Sequence, residues 1–121
     1  MSGALITFLT PNFTHTDERG GLIQLVREGW KQVNYISSVA GCVRGGHYHK
    51  YNKEAFFIIK GSIELTLEKE QQKETHVIKA GTFFMIPPYV KHYFKYLENT
   101  ELISLYDVGV EMADNTKDIY S

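Results

Sequence analysis

The stretch G-C-V-R-G-G-H-Y-H-K-Y-N-K-E-A-F-F-I-I-K-G, Gly41 to Gly61, decides how the rest of the chain is read. It places His47 and His49 two residues apart and Glu54 five further on. Residues i and i+2 of a strand point to the same face, about 7 Å apart. The two imidazoles can therefore converge on one point from a single strand. Glu54 opens the next apolar run and can approach that point across a turn. Two imidazoles and a carboxylate make up most of a mononuclear metal site. His92, in a later apolar segment, is the candidate for the fourth group.

Outward from this stretch, the chain reads as a series of short strands. Ala4 to Leu9 is a brief apolar run, either an edge strand or one exchanged with another copy. Thr10 to Gly21 reads as a loop, with Pro11, Asn12, Asp17 and the Gly20-Gly21 pair. Gly21 to Val26 and Gln32 to Val39 read as strands, broken by Arg27-Glu28-Gly29. Ala55 to Ile59 is a continuous apolar run, as expected of a strand buried on both faces. Ser62 to Glu68 sets Ile63, Leu65 and Leu67 against Glu64, Thr66 and Glu68, the alternation of a half-exposed strand. Lys69 to Glu74 is polar and reads as a hairpin tip, with Thr75 to Lys79 returning. Gly81 to Ile86 is stopped by Pro87-Pro88, and Lys91 to Leu97 and Glu101 to Val108 follow. The tail, Gly109 to Ser121, is polar and without clear period.

This amounts to eight to ten strands, with turn signals about every ten residues and no sustained helical period. The expected class is all-β, a barrel or sandwich in a single domain over residues 1–121. Inward side chains at the mouth of a small barrel can surround one ligand. His47, His49, Glu54 and His92 suit such a mouth.

The length, 121 residues, allows one core and no more. A formal net charge of −1 gives no bulk attraction to nucleic acid or to an anionic membrane, so neither is expected as a partner. No run approaches the roughly 20 apolar residues of a membrane span. Met1 to Thr10 lacks a basic region followed by an apolar core, so no leader is expected. Cys42 is alone, cannot form an internal disulfide, and is expected to be a small buried hydrophobe. Together these features place the chain in the cytoplasm.

The spacing carries a resemblance to the cupin superfamily. Its first motif, G-x5-H-x-H-x4-E-x6-G, is matched at every fixed position by Gly41, His47, His49, Glu54 and Gly61. Its second, G-x5-P-x-G-x2-H-x3-N, is matched at Gly81, Pro87 and His92, with Tyr89 in place of the inner Gly and Tyr96 in place of Asn. The motifs occupy residues 41–61 and 81–96. The resemblance implies a jelly-roll β-barrel with His47, His49, Glu54 and His92 as ligands of one divalent ion. Zinc is the first expectation, and manganese, iron and nickel are also compatible.

A narrower resemblance comes from D-E-R-G at Asp17 to Gly20, Asn34-Tyr35-Ile36-Ser37, and R-G-G-H-Y-H-K at Arg44 to Lys50. These segments are similar to those of cupins acting on deoxysugar nucleotides, the dTDP-4-keto-6-deoxyhexose 3,5-epimerases and the 3,4-ketoisomerases. The pairing of the first motif with Ile86-Pro87 and His92 is most similar to the C-terminal cupin domain of capsular polysaccharide epimerase-reductases. The given sequence has no Rossmann domain, so a reduction step would fall to a separate partner.

The activity this implies is proton transfer at a carbon next to the ketone of a nucleotide-linked 4-keto-6-deoxy sugar, in surface polysaccharide biosynthesis. Such chemistry needs a base, an acid and a stabiliser for the oxyanion. In the metal-free epimerases the His of R-G-x-H is the base, and that position is His47. In metal cupins the same position is a ligand, and a ligated imidazole cannot also accept the substrate proton. Another base would then be needed. Tyr96 shares a strand face with His92 by parity, and Tyr48, Tyr51, Tyr93, Tyr106 and Lys50 are further candidates. Arg44, then Arg19, are the candidates for a diphosphate contact, since a guanidinium fork suits phosphate oxygens. His15 and His76 fit no spacing and read as ordinary surface or packing residues. Two other classes stay open: a different metal cupin such as an iron oxygenase, and a non-catalytic sugar- or metal-binding module. A homodimer formed by sheet packing, with the N-terminal strand crossing to the partner, is also expected.

Overall fold

A computed structural model describes residues 4–121. Residues 1–3, part of the stretch read for a leader, lie outside the described residues. Eleven strands run in the order β1 (Thr7–Phe8), β2 (Phe13–Asp17), β3 (Gly20–Gln24), β4 (Gln32–Ser38), β5 (Val43–His47), β6 (Glu54–Lys60), β7 (Ser62–Lys69), β8 (Gln72–Lys79), β9 (Phe83–Ile86), β10 (Lys91–Tyr96) and β11 (Thr100–Tyr106). No helix among the described residues is long and apolar enough to cross a membrane.

The strands form a five-stranded sheet, β1-β9-β6-β11-β4, a four-stranded sheet, β5-β10-β7-β8, and a separate hairpin, β2-β3. Alternation along β7 points Ile63, Leu65 and Leu67 inward, each with no exposed surface, and leaves Glu64, Thr66 and Glu68 at the boundary. These three meet Ile58, Phe84, Phe94 and Leu102 between the sheets. Phe56 anchors the layer, stacked on Phe84 at 5.1 Å and tilted against Phe94 at 4.8 Å. Burying each such side chain stabilises the fold by about 1.5–3 kcal/mol.

The apolar run that opens β6 is covered on both sides as far as Ile58, but Ile59, which the sequence reading also buries, is 45% exposed. Phe56 and Ile58 enter the inter-sheet core. Ala55 turns outward to a second cluster with Phe83 and Leu105, roofed by Leu9, Leu25, Val26 and Trp30. Of the two expectations for residues 4–9, the single chain shows the edge strand. Thr7 pairs with Met85 and Phe8 with Phe84, while Leu5 and Ile6 are buried in the chain's own core. Cys42 is half-buried and packs against that core.

Three stretches depart from the sequence reading. Thr10 to Gly21 is not a loop: Phe13–Asp17 pairs with Gly20–Gln24 around a tight D-E-R-G turn. Polar composition hides strands exposed on both faces, because neither face needs apolar residues. The β7-β8 tip is shorter than the polar run suggests, with only Glu70 and Gln71 between the strands. The tail is also not featureless. It lays Asp118, fully buried, and Tyr120 against residues 48–52.

Candidate functional site

The site is built where β5 and β10 pair. His47 lies opposite His92 across the ladder, and a register shift beside His92 inserts an extra residue into β5. Such a bulge twists a strand and re-aims its side chains. Gly45 makes the close approach possible: a Cβ there would stand 2.4 Å from the His92 carbonyl oxygen, on a backbone with φ of 118°. β5 ends at His47, so His49 sits just beyond the strand, yet the rings still converge. Ring centroids are 4.6 Å apart for His47–His92 and 5.4 Å for both His47–His49 and His49–His92. Glu54 comes from β6, paired with Tyr106 of β11. The three histidines place one nitrogen each within 4.8 Å of one another.

Hydrogen bonds fix the deeper rings. His49 donates Nδ1–H to the Asp118 carbonyl at 2.6 Å and presents Nε2 to Glu54 Oε1 at 3.1 Å. His92 directs Nδ1 to the Val90 carbonyl at 3.4 Å, with Nε2 3.7 Å from the same Glu54 oxygen. Both rings therefore point Nε2 at one carboxylate oxygen. Val90 follows Tyr89, whose own N–H bonds the His49 carbonyl at 2.7 Å. Tyr89 occupies the position where the second motif has Gly, and it keeps the left-handed backbone that a Gly would supply, with φ of 69°.

The electrostatics divide the histidines. Burial, then the neighbouring His92 and His49, push His47 down to about 4. Burial, then His49, hold His92 at about 4. Both are neutral at ordinary pH and carry a free nitrogen lone pair. Burial would also lower His49, but the Glu54 carboxylate and the Asp118 carbonyl outweigh it and raise the ring above its usual value. Burial pushes the Tyr106 hydroxyl up, and the facing Glu54 charge pushes it further. Burial likewise raises Tyr96, so both phenols keep their protons.

These side chains border a cavity of about 130 Å³ whose walls include Arg44, His47, Glu54, His92, Tyr96 and Tyr106. Phe56, Phe94, Ile36 and Leu102 supply its apolar lining. Pockets that hold drug-sized ligands run to roughly 300–1,000 Å³, so this cavity is a small one. A second cavity of about 720 Å³ also has Arg44 on its wall, with Tyr35, Lys60 and Glu101. Arg44 bridges the free edges of the two sheets, donating Nε–H to Ser38 Oγ at 2.8 Å and an Nη–H to the Ser37 carbonyl at 3.3 Å.

The expected site residues are thus partly united. His47, His49, Glu54 and His92 converge, and Tyr96 and Arg44 line the same cavity. Arg19 does not join them within one chain. It sits at the β2-β3 turn, 83% exposed and ion-paired with Asp17 at 2.6 Å. The other candidates divide as follows. Tyr106 belongs to the site, and Tyr51 is exposed. Tyr93 lies under Lys91, and Tyr48 stacks outside the barrel on Tyr89. Lys50 lies over Tyr120. His15 pairs with Asp17 and His76 with Glu74, both away from the cavity. Sequence reasoning missed Asp118 and Asn52. Nothing in their spacing marks them, because their partners, backbone groups and the His49 ring, lie 57 to 69 residues away.

Three imidazoles and a carboxylate are donors that suit a divalent ion of the zinc type. The tie of Nδ1 to a carbonyl in two of the rings is the usual support of a metal-binding histidine. The three imidazoles, one nitrogen each within 4.8 Å of one another, with the Glu54 carboxylate against two of them, would suit such an ion.

The all-β fold is a cupin jelly roll, and solved structures share it. The TDP-quinovose 3,4-ketoisomerase WlaRB of Campylobacter jejuni superposes with a TM-score of 0.78 at 20% identity, covering 93% of this chain and 92% of that one. QdtA of Thermoanaerobacterium thermosaccharolyticum, a sugar 3,4-ketoisomerase solved with TDP, gives 0.73 at 20% identity over 85% and 80%. The family model described as polysaccharide biosynthesis C-terminal domain matches residues 15–118, and the chain belongs to that family. The spore coat polysaccharide biosynthesis protein SpsL of Bacillus subtilis (strain 168) is 27% identical over 107 residues, covering 76% of this chain and 71% of that protein.

Proposed function

We propose that this protein is a nucleotide-sugar isomerase of polysaccharide biosynthesis. It would exchange a proton beside the ketone of a 4-keto-6-deoxy sugar, and so move the carbonyl or invert a neighbouring centre. The observation that carries this is the small cavity whose walls include a neutral, half-buried His47 together with Tyr96 and Arg44. The names of the similar structures, TDP-sugar 3,4-ketoisomerases, support the same class.

In this reading His47 takes the proton from the carbon next to the ketone. It is the most accessible of the three imidazoles and has a free lone pair. Tyr96, which keeps its proton, would return one. Arg44, at the wall shared with the larger cavity, holds the diphosphate, so that binding energy from the nucleotide positions the sugar. The apolar lining excludes water and strengthens each charged contact. Incubation in deuterium oxide with a dTDP- or UDP-linked 4-keto sugar tests the proposal by deuterium at C3 or C5, or by a ketone moved to C3.

A second reading is favoured by one observation, the paired Nδ1 ties that aim His49 and His92 at Glu54. Here His47, His49, Glu54 and His92 hold one divalent ion, zinc first. When bound, the ion would polarise the ketone oxygen as a Lewis acid. His47 would then be a ligand and the proton would move through another residue. The readings oppose each other on metal removal: chelation leaves the first active and silences the second.

The reading includes a homodimer. A lone two-stranded hairpin is marginal in water, and β2-β3 carries Phe13, Leu22 and Ile23, each at least half exposed. Val33 and Tyr35 are likewise exposed on the edge strand β4. Sedimentation as a monomer at micromolar concentration would remove this part. The single unpaired Cys42 suits a reducing compartment, the cytoplasm.

A further inference from the structure

We infer that Asp118, in the C-terminal tail, is a positioning residue that holds His49 in its working orientation. The inference depends on the proposed site only in taking His49 as a residue that acts there.

Asp118 is fully buried and grips the region of His49 in two ways. Its backbone carbonyl accepts Nδ1–H of the ring at 2.6 Å. Its carboxylate gathers the chain that follows. Oδ1 accepts the Lys50 N–H at 2.8 Å, and Oδ2 accepts the Tyr51 N–H at 3.0 Å and the Asn52 N–H at 3.0 Å. Oδ2 also accepts Asn52 Nδ2–H at 2.8 Å. Three successive backbone N–H groups closing on one anion form a concave nest. Bonds to a charged acceptor are about twice as strong as neutral ones.

The tail is itself tied to the same loop. Asn52 accepts the N–H groups of Val108 and Gly109 at 3.0 and 2.9 Å and donates to the Gly109 carbonyl at 2.9 Å. Tyr48 and Tyr120 exchange both backbone bonds, at 2.8 and 3.0 Å. His49 is therefore flanked by tail contacts on each side in sequence. With Nδ1 committed to a carbonyl, Nε2 is the atom left to face Glu54. Releasing the tail would free the ring to turn and would slacken the loop that carries it. Ring orientation at the site and order in the tail are one equilibrium.

The test compares the full chain with a chain ended after Lys117 and with Asp118→Asn, which keeps the carbonyl and loses the charge. Imidazole proton–nitrogen NMR of His49 reports Nδ1 directly, and a titration with zinc alone reports the cluster. The full chain should show a proton on Nδ1 that exchanges slowly with water. In the shortened chain that protection should be lost while the Leu65 and Ile58 amides stay protected, and zinc affinity should fall about 10–100-fold. Asp118→Asn should speed Nδ1 exchange by about tenfold, the weight of one charge-assisted hydrogen bond. Should the shortened chain not fold, Asp118→Asn decides alone. Unchanged Nδ1 exchange in a folded variant overturns the inference. If zinc fails to bind even the full chain, the metal reading falls, and the Nδ1 signal still tests the role of Asp118.

Discussion

His47 and His92 stand opposite each other across the β5-β10 ladder, with ring centroids 4.6 Å apart. One comes from the first sequence motif and the other from the second, so the site exists only when these strands are in register. A shift of one residue would turn either side chain to the other face. The bulge at this point and the bare backbone of Gly45 make the pairing possible.

Gly45→Ala should therefore damage fold and site together. The new Cβ would meet the His92 carbonyl on a backbone L-residues rarely adopt. Backbone strain alone costs about 1–3 kcal/mol, and the contact adds to it. The urea midpoint should fall, and the His92 ring signals should move more than those of the distant His76.

Glu54 is buried between His49, His92 and Tyr106. Removing one partner of a buried ionic pair costs about 3–5 kcal/mol. Glu54→Ala should lower thermal stability by that order, and Glu54→Gln, which keeps shape and an acceptor, by clearly less. Equal effects would mean that the charge of Glu54 has no role.

Arg44→Lys keeps the charge and loses the fork that reaches Ser38 and Ser37. Substrate KM should rise about tenfold, near the value of one charge-assisted hydrogen bond, with kcat changed far less. A fall in kcat at constant KM would place Arg44 in the chemistry instead of in binding.

Acid should loosen the N-terminal strand before the barrel. Glu74 accepts the Leu5 N–H at 2.9 Å and pairs with His76 at 3.0 Å. Burial would raise its carboxyl, but the bonds from His76, Leu5 and Gln72 outweigh this and hold it below the usual value. A depressed folded pKa gives stability that is present above the unfolded value and is lost as pH falls through the folded one. Protection of the Leu5 amide, taken relative to its intrinsic exchange rate at each pH, should therefore fall as pH drops through the carboxylate range. Glu74→Gln should already show fast exchange at neutral pH.

Much of the fold was legible in the sequence because its signals are local. Ile63, Leu65 and Leu67 alternate with Glu64, Thr66 and Glu68, and that alternation alone sets β7 and its buried face. The four residues were legible through motif spacing, although only His47 and His92 sit on paired strands, with His49 beyond β5 and Glu54 on the other sheet. β3 was legible as the strand read over Gly21 to Val26, but its partner β2 was not, since a largely polar exposed strand leaves no apolar pattern. Asp118 was not, since its partners are N–H groups and an imidazole that fold onto the tail from 66 to 69 residues away. Arg44 was read as a phosphate ligand, and its sequence gave no sign that it also stitches two sheet edges.

The most direct test of the account is solvent exchange into a dTDP-linked 4-keto-6-deoxy sugar in deuterium oxide, run with the protein as purified, zinc-loaded and chelated. The account predicts deuterium at a carbon beside the ketone, or the ketone moved to C3, and loss of both in His47→Ala. Exchange that survives chelation makes His47 the base, and exchange that needs zinc makes it a ligand. Folded protein that leaves dTDP- and UDP-linked 4-keto sugars without deuterium in all three states would contradict the proposed activity.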